Sequence, residues 1–333
     1  MTVEKVRVGI VGLGEWGASH LEAYQSLPNV EVVMLCDLRG ERLRELADRH
    51  RVADWSTSDA DLWERQDVDL VSVVNYEKDH LNPVMNALGS GKHAVVEKPV
   101  STRADEARQM MEAAVETGRY LVPGHVLRFE PRYAQLHSLL RSGEVGDPIS
   151  IYSKRARPRR LFDTYKRVHT VFESMVHDID LAIWYAGARV TSVRAYERSV
   201  SGADSPEVLW ACLEFENGVL AVLHSNWMIP DEAGVDVADS LELIGEGGSE
   251  SLETVNAAPQ LWTGSGRRAY ELGHHTNVEG MVVGALRGLL AYVCGCISEQ
   301  ESPSRVPMED AVHGVEVAEA VEESAKTGRE IGF

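Results

Sequence analysis

Two short motifs near the start of the chain hold residue types suited to redox chemistry on a bound dinucleotide. The first, Gly12-Leu13-Gly14-Glu15-Trp16-Gly17, lies between an apolar run and a helical pattern. In a strand–turn–helix unit, such glycines allow a tight turn, close approach of a pyrophosphate and packing of the helix on the strand. The second, Glu97-Lys98-Pro99, follows a buried strand about eighty residues later. Lys98 is then expected at the carboxyl edge of the sheet, where an ammonium can stabilise alkoxide charge during hydride transfer.

An acidic residue after the second predicted strand indicates which dinucleotide binds. Asp37 lies twenty residues beyond Gly17. A carboxylate there accepts both ribose hydroxyls of NAD and repels a 2′-phosphate. Arg39 could offset that repulsion, so the sequence favours NAD and leaves NADP open; an empty Rossmann scaffold or an FAD fold is the weaker alternative. The residues predicted to bind the cofactor on this basis are Gly12, Gly14, Glu15, Trp16, Gly17, Asp37, Arg39 and Lys98.

A third motif, Glu173-Ser174-Met175-Val176-His177-Asp178-Ile179-Asp180, holds a candidate base. Glu173 and His177 are four residues apart and would share one face of a helix. The pKa range of histidine suits a general base near neutral pH, and Glu173 could orient the ring or relay its proton. A histidine on an amphipathic helix is about as often a core residue, so the spacing alone leaves both roles open.

Together these motifs resemble the glucose–fructose oxidoreductase / inositol dehydrogenase / MocA (Gfo/Idh/MocA) family over the whole chain. The matching residues are Gly12-x-Gly14-x-x-Gly17, His80, Gly91-Lys92-His93, Glu97-Lys98-Pro99 and His177-Asp178-Ile179-Asp180. The resemblance implies that Lys98 and His177 are the catalytic pair. It also implies an acid four residues before the histidine, which is aspartate in most members and Glu173 here.

The same resemblance extends to the cofactor site and to assembly. It implies that Asn75 and His80 lie near the cofactor and that Glu97 lies beside the nicotinamide ribose. Many members have two glycines where Val168-His169 stand in this chain. Typical members associate through the open face of the second domain's sheet, so a homodimer or homotetramer is expected.

The hydrophobic pattern predicts an α/β protein of two domains. Strands and helices alternate up to residue 123, as in a doubly wound parallel sheet of the Rossmann type that binds NAD. Residues 124–333 show longer segments of alternating apolar and polar residues, which predict an α+β domain with a large, mostly antiparallel open sheet. Two helices, at about 279–298 and 308–327, close the chain, and we expect the C-terminal helix to pack back toward the Rossmann domain.

Charge and cysteine content exclude several partners. The chain has 333 residues and a formal net charge of −19, which would repel nucleic acid and anionic lipid. The four cysteines lack the spacing of a zinc site, so we expect no metal and a reducing cytoplasmic compartment. Because the first strand begins almost at once, we expect no signal peptide, and we expect no membrane span in the apolar stretch 281–297, which is short and interrupted.

A local excess of positive charge bears on the substrate. Seven basic residues and one acid, Asp163, lie between Lys154 and Arg167, just before the predicted helix with His177. Because arginine forks match carboxylate and phosphate oxygens, Arg155 and Arg157 predict an anionic substrate such as a nucleotide sugar or sugar acid. The segment 124–131 also resembles members that act on nucleotide-linked sugars, which adds Arg128. Alternatively, the charged segment pairs with acids of a neighbouring subunit.

These observations predict hydride transfer between a nicotinamide cofactor and a hydroxyl or keto carbon. The substrate would be a sugar, nucleotide sugar, sugar acid or cyclitol. One alternative is a glycoside hydrolase that retains NAD and oxidises its substrate transiently. Another is a non-catalytic sensor that binds NAD.

Overall fold

Two units, each with its own sheet, make up the chain in the computed structural model, which describes residues 5–264 and 266–333. The first unit comprises residues up to 129 and residues 274–312. The second comprises residues 130–273 and 313–333. The boundary predicted between residues 123 and 124 is therefore displaced, and the chain crosses between the units twice more.

The first unit begins with alternating strands and helices. Its buried strands are short apolar runs rich in valine, as expected where both faces of a parallel sheet are covered. The elements are β1 (Val6–Val11), α1 (Glu15–Gln25), β2 (Val30–Cys36), α2 (Gly40–His50), β3 (Trp55–Ser56), α3 (Ala60–Trp63), β4 (Leu70–Val73), α4 (Leu81–Gly89), β5 (His93–Val96), α5 (Ala104–Thr117) and β6 (Leu121–Pro123). The strands form one parallel sheet in the order β3-β2-β1-β4-β5-β6, which confirms the doubly wound Rossmann arrangement.

The second unit begins at residue 130 with a helix that leads into a long strand. A π-helical turn at Val171–Met175 runs directly into its central helix, where the sequence predicts only a regular helix from about residue 174. The elements are α6 (Pro131–Ser142), β7 (Pro148–Pro158), α7 (Arg159–Tyr165), α8 (Val176–Ala186), β8 (Val190–Arg198), β9 (Val208–Phe215), β10 (Leu220–Ile229), β11 (Ala238–Gly245), β12 (Gly248–Glu253), α9 (Thr254–Ala257), β13 (Gln260–Thr263) and β14 (Gly266–Ala269).

The remaining segment returns to the first unit before it ends in the second. It comprises β15 (Thr276–Val278), β16 (Met281–Val283), α10 (Ala285–Glu299), α11 (Met308–Thr327) and β17 (Ile331–Gly332). The helix predicted from residue 279 starts later, because Gly284 has a φ of +113° and a side chain there would meet the carbonyl of His274 at 2.5 Å.

The helix whose apolar face packs on the Rossmann core is α10, and the first turn of the C-terminal α11, up to Val312, also belongs to the first unit. The apolar side chains of α10, including Leu286 and Leu290, share a buried cluster with Leu21 and Tyr24 of α1. From His313 onward, α11 belongs to the second unit, where Ser324 accepts a hydrogen bond from the backbone of Ala195 on β8. No helix in the described ranges is long and apolar enough to cross a membrane.

The second unit is built on a mixed sheet in the order β12-β11-β7-β10-β9-β8-β17. Strands β7 and β10 are parallel, and the other neighbouring pairs are antiparallel. Along β9, Leu209, Ala211 and Leu213 are buried while the residues between them are exposed. This alternation leaves one face of the sheet open, in agreement with the prediction of a mostly antiparallel open sheet.

Candidate functional site

In the glycine-rich loop after β1, two of the three glycines have no space for a side chain, and the third has space beside it. Gly12 has a φ of +91°, and a side chain there would lie 2.6 Å from the backbone nitrogen of Asn75. A side chain on Gly17 would collide with the carbonyl oxygen of Gly12. A side chain on Gly14 would meet nothing within 4 Å. The loop therefore needs two glycines for its own conformation, and the third leaves space beside the backbone for a ligand.

The start of α1 is suited to bind a phosphate. Gly14 is the N-cap residue, and no side chain caps the helix. The first backbone N–H groups of a helix need external partners, and phosphate oxygens fill that role at many helix N-termini. Glu15 is exposed, whereas the ring of Trp16 packs edge-on against His20 and His275, 6.2 and 6.5 Å away between centroids. Any contribution of Trp16 to phosphate binding therefore comes from its backbone.

Asp37 is held by three groups at the end of β2. Its Oδ2 accepts a hydrogen bond of 2.6 Å from the backbone of Leu13. Arg39 donates from its backbone nitrogen and from Nε to Oδ1, at 2.9 and 3.0 Å, and from Nη2 to Oδ2 at 3.0 Å. Burial alone would raise the pKa of Asp37, but these hydrogen bonds hold it below its usual range. The negative charge of Asp37 would repel the 2′-phosphate of NADP. The two hydrogen bonds from the guanidinium also pair the positive charge of Arg39, which could otherwise attract that phosphate.

Two loops at the carboxyl edge of the sheet are joined through one buried histidine. The Nε2 of His80 lies 3.1 Å from the carbonyl oxygen of Asn75, in the loop after β4. Its Nδ1 lies 3.1 and 3.2 Å from the carbonyl oxygens of Pro99 and Val100, after β5. Burial lowers the pKa of His80. The ring therefore joins the loop that contains Lys98 to the neighbouring loop after β4.

A buried network also fixes the residue before Lys98. The carboxylate of Glu97 accepts a hydrogen bond from the backbone of Lys98 at 3.1 Å and lies 2.9 Å from Nε2 of His20. The hydroxyl of Ser72 lies 3.0 Å from Nδ1 of His20 and 3.0 Å from the hydroxyl of Tyr24. Burial would raise the pKa of Glu97, but the hydrogen bond and charge of His20 hold it below its usual value. Sequence reasoning missed these three supporting residues, although His20 follows the glycine motif by only three positions.

In the second unit, the candidate acid and the candidate base lie on two kinds of helix. Glu173 belongs to the π-helical turn, and His177 stands in the first turn of α8. The carboxylate of Glu173 lies 3.4 Å from Nη2 of Arg167. His169, where many family members have glycine, lies 2.9 Å from the carboxylate of Glu197 and accepts a hydrogen bond from the backbone of Val171. The α-helical spacing used to relate Glu173 and His177 therefore does not apply across this turn.

The basic residues between 154 and 167 are largely paired with acids of their own unit. Five of the seven form such ion pairs, which are Arg155 with Asp178 and Asp239, Arg157 with Asp239, Arg160 with Asp231 and Asp236, Lys166 with Asp163, and Arg167 with Glu173. The sequence left open that this segment pairs with acids of a neighbouring subunit. The ion pairs do form, but the acids belong to the same chain.

Two of the predicted substrate ligands, Arg155 and Arg128, are buried and already paired. Arg155 is 1% exposed, and all of its guanidinium nitrogens donate to carboxylates. Arg128 is equally buried and donates to Asp310 at 2.9 Å and to the carbonyl oxygen of Arg305 at 3.2 Å. Both guanidiniums are thus buried and held by acceptors of their own unit, a geometry typical of structural groups, and their binding of substrate stays a prediction. Arg157 keeps 14% of its side chain exposed.

Models of one protein family match both units. Residues 6–125 match the GFO_IDH_MocA model, described as an oxidoreductase family with an NAD-binding Rossmann fold, and residues 133–250 match the GFO/IDH/MocA C-terminal domain. The chain belongs to the Gfo/Idh/MocA oxidoreductase family. Its cofactor is NAD, in agreement with the open Gly14 position, the uncapped helix and the ionised Asp37.

Curated members of the Gfo/Idh/MocA family resemble the chain over most of its length. It is 26% identical over 260 residues to inositol 2-dehydrogenase of Salmonella typhimurium, covering 76% of this chain and 75% of that protein. It is 28% identical over 262 residues to scyllo-inositol 2-dehydrogenase (NAD(+)) of Bacillus subtilis, covering 75% of each. The fold matches scyllo-inositol dehydrogenase of Lactobacillus casei, solved with NAD(H) and scyllo-inositol, with a TM-score of 0.86, 18% identity and 99% coverage of both chains.

Three side chains at the motif positions are candidates for the chemistry of the site. Among the described residues, no group of three or more histidine, cysteine, aspartate or glutamate side chains is arranged to hold a metal ion. The groups available for proton transfer and charge stabilisation are Lys98 on the first unit and His177 with Glu173 on the second. A lysine and a histidine suffice for oxidation of an alcohol, which requires a stabilised oxygen and a proton acceptor.

Proposed function

We propose that this Gfo/Idh/MocA protein is an NAD-dependent dehydrogenase of a neutral cyclitol or a similar neutral polyol. The proposal rests on the neutralised basic segment that precedes His177. Arg155 and Arg157 face Asp178 and Asp239, so two positive charges meet two negative charges and leave no excess to attract an anion. The curated relatives named inositol 2-dehydrogenase support the same substrate class.

Bound NAD supplies the acceptor for the hydride. The backbone N–H groups at the start of α1 would hold its pyrophosphate, and Asp37 would accept hydrogen bonds from the adenosine ribose. The preference for NAD over NADP follows from the ionised Asp37 and from its fork with Arg39. Asn75 and Glu97 belong to the loops that would border the nicotinamide ribose.

In this proposal Lys98 and His177 have different roles toward the reacting hydroxyl. The ammonium of Lys98 donates a hydrogen bond to the oxygen and stabilises the negative charge that develops there. His177 accepts the hydroxyl proton, and Glu173 steadies the resulting imidazolium. In the reverse direction the same groups protonate the oxygen of a ketone. The guanidinium of Arg157, partly exposed beside Asp239, is available to hydrogen-bond a substrate hydroxyl.

We infer further that the chain forms a homodimer or homotetramer through the open face of the second sheet. This face presents Tyr196, Trp210 and His224 side by side on three neighbouring strands, with the rings of Trp210 and His224 stacked 3.8 Å apart. Light scattering on the wild type and on Trp210→Glu tests this surface, since a charge there should yield monomers.

We also infer a reducing, cytoplasmic compartment, because all four cysteines are free.

A substrate panel tests the proposed activity. Purified protein is offered NAD or NADP with neutral inositols, neutral sugars, sugar acids and nucleotide sugars, and reduced nicotinamide is followed by fluorescence. We expect turnover with NAD and a neutral cyclitol or polyol. Turnover confined to sugar acids or nucleotide sugars would overturn the assignment of a neutral substrate. Release of a glycosidic leaving group without added cofactor would identify the hydrolase alternative, and NADH binding without turnover would identify a sensor.

A further inference from the structure

Four charged side chains form a closed cluster between the second sheet and α8. Arg155 donates from Nε and Nη2 to the two carboxylate oxygens of Asp178, both at 2.9 Å, and from Nη1 to Asp239 at 2.8 Å. Ser153 adds a hydrogen bond of 2.6 Å to Asp178. Arg157 donates from Nη1 and Nη2 to the two carboxylate oxygens of Asp239, and so shares Oδ2 with Arg155. Both carboxylates of this cluster therefore have defined partners on the sheet.

The cluster is buried, and each member is fixed by the fold. Arg155 and Asp239 stand directly opposite each other on β7 and β11, and Ser153 lies two residues before Arg155 on the same face of β7. Arg155, Asp178 and Asp239 are all less than 5% exposed. Burying ion pairs costs desolvation that an apolar contact avoids, so such a cluster contributes little to stability while specifying one geometry strictly.

The geometry that the cluster specifies is the rotation of α8. Asp178 stands in the first turn of this helix, directly after His177. Successive residues of an α-helix are rotated by about 100°, so fixing Asp178 against the sheet also fixes the direction of His177. A fork of two parallel hydrogen bonds resists rotation about the helix axis, whereas a single bond would act as a pivot.

A π-helical turn directly precedes α8. A π-turn closes its hydrogen bonds over one residue more than an α-turn, and such turns are rare and often found at functional sites. If Val171–Met175 relaxed to α-helical geometry, the residues after it would rotate by about 100° relative to the residues before it. The fork on Asp178 opposes that relaxation.

We propose that the buried fork between Arg155 and Asp178, closed by Ser153 and Asp239, holds α8 in the rotation that directs His177 to the substrate. Arg155 is accordingly a positioning residue and makes no contact with the substrate. This inference rests on the proposed function insofar as it assigns a substrate to His177. The rotation itself does not depend on which substrate is bound.

The test compares Arg155→Lys, which keeps the charge and removes the fork, with Arg160→Lys as the matched control. Arg160 lies in the same basic segment but is exposed and paired with Asp231 and Asp236 at the surface. For each variant we would measure NADH affinity, kcat and KM for the best polyol, and the NMR signal of labelled His177. That signal is assigned among the twelve histidines by its loss in His177→Gln.

We expect Arg155→Lys to bind NADH like the wild type, to lose kcat roughly tenfold or more with little change in KM, and to shift the His177 signal. Arg160→Lys should change none of these. An unshifted His177 signal with kcat within twofold of the wild type would overturn the proposal. A raised KM with unchanged kcat would also overturn it, in favour of a direct substrate contact.

Two further outcomes are separable. If the wild type oxidises no polyol, the proposed function fails, and the His177 signal alone decides whether Arg155 sets its position. If Arg155→Lys does not fold, Asp178→Asn replaces it, because that change keeps the shape of the side chain and weakens the fork from the other partner. The same shift of the His177 signal is then expected, and its absence contradicts the proposal.

Discussion

The imidazole of His20 lies 2.9 Å from the carboxylate of Glu97, which immediately precedes Lys98, and both side chains are buried. The pair joins α1, which follows the dinucleotide loop, to the loop that holds the catalytic candidate. Because Glu97 also accepts the backbone N–H of Lys98, cofactor loop and lysine share one support.

Removal of His20 should therefore destabilise the first unit. His20→Ala leaves the buried Glu97 carboxylate without this partner, and breaking a buried pair from one side costs about 3 kcal/mol. The pKa of Glu97, now held low, would rise. Urea unfolding measures the effect, with His50→Ala on α2 as the control, because His50 is only partly buried and pairs with Gln25 near the surface. Equal losses in the two variants would contradict the account.

The two glycines at the start of α1 should respond differently to alanine. Gly14→Ala adds a methyl group where no protein atom lies within 4 Å, so we expect unchanged thermal stability and NADH binding weakened about tenfold, or ~1.4 kcal/mol. Gly17→Ala drives its methyl group into the carbonyl of Gly12 and should lower the melting temperature sharply or prevent folding. Calorimetry measures both quantities. Normal NADH affinity in Gly14→Ala would show that the pyrophosphate binds elsewhere.

Cofactor preference should depend on Asp37. Asp37→Ser removes the charge that opposes a 2′-phosphate and releases the guanidinium of Arg39 from its fork. We expect the ratio of kcat/KM with NAD to kcat/KM with NADP to fall by about tenfold or more. Asp61→Ser, which changes an exposed carboxylate of α3, is the control. An unchanged ratio in Asp37→Ser would mean that other residues select the cofactor.

The ionised side chain of Glu250 on β12 should lower the free energy of unfolding at neutral pH. Neither of its buried carboxylate oxygens meets a hydrogen-bond partner among the described residues, and burial, with a smaller effect of Glu144, raises its pKa. A carboxyl whose pKa is higher in the folded state favours folding when protonated. This advantage is lost as the pH rises from the unfolded pKa through the folded one.

Glu250→Gln should then stabilise the protein by about 1 kcal/mol at pH 8 and by little at pH 4. Chemical unfolding at the two pH values measures the difference. The control is Glu242→Gln, because Glu242 is exposed on the adjacent strand β11. A gain that is the same at both pH values would rule out the titration of Glu250 as its cause.

Much of the first unit follows from local sequence. Apolar valine-rich runs separated by helical segments specify a parallel sheet, and the spacing from Gly12 to Asp37 identifies a dinucleotide fold because each residue acts through its own strand end. The return of α10 to this unit could not be predicted, since an apolar helix face does not by itself specify which unit it packs against. Its partner Tyr24 lies more than 250 residues earlier in the chain.

The site was predictable where residues act locally and not where they act through distant partners. Lys98 stands where its motif indicates, at the end of β5. Arg155 and Arg128 are paired with Asp239 and Asp310, which lie 84 and 182 residues away in the sequence. The sequence shows a run of positive charge, but only the fold shows that carboxylates already neutralise it. The π-turn could not be predicted either, because its residues are equally compatible with an α-helix.

The most direct measurement of the account's central claim is cyclitol oxidation by Lys98→Met and His177→Gln in the presence of NAD. Lys326→Met, on the exposed end of α11, is the matched control. At saturating NAD we expect both site variants to lose kcat by about a hundredfold or more, while the control keeps its activity. Oxidation at the wild-type rate by either site variant would contradict the assignment of Lys98 and His177 as the catalytic pair.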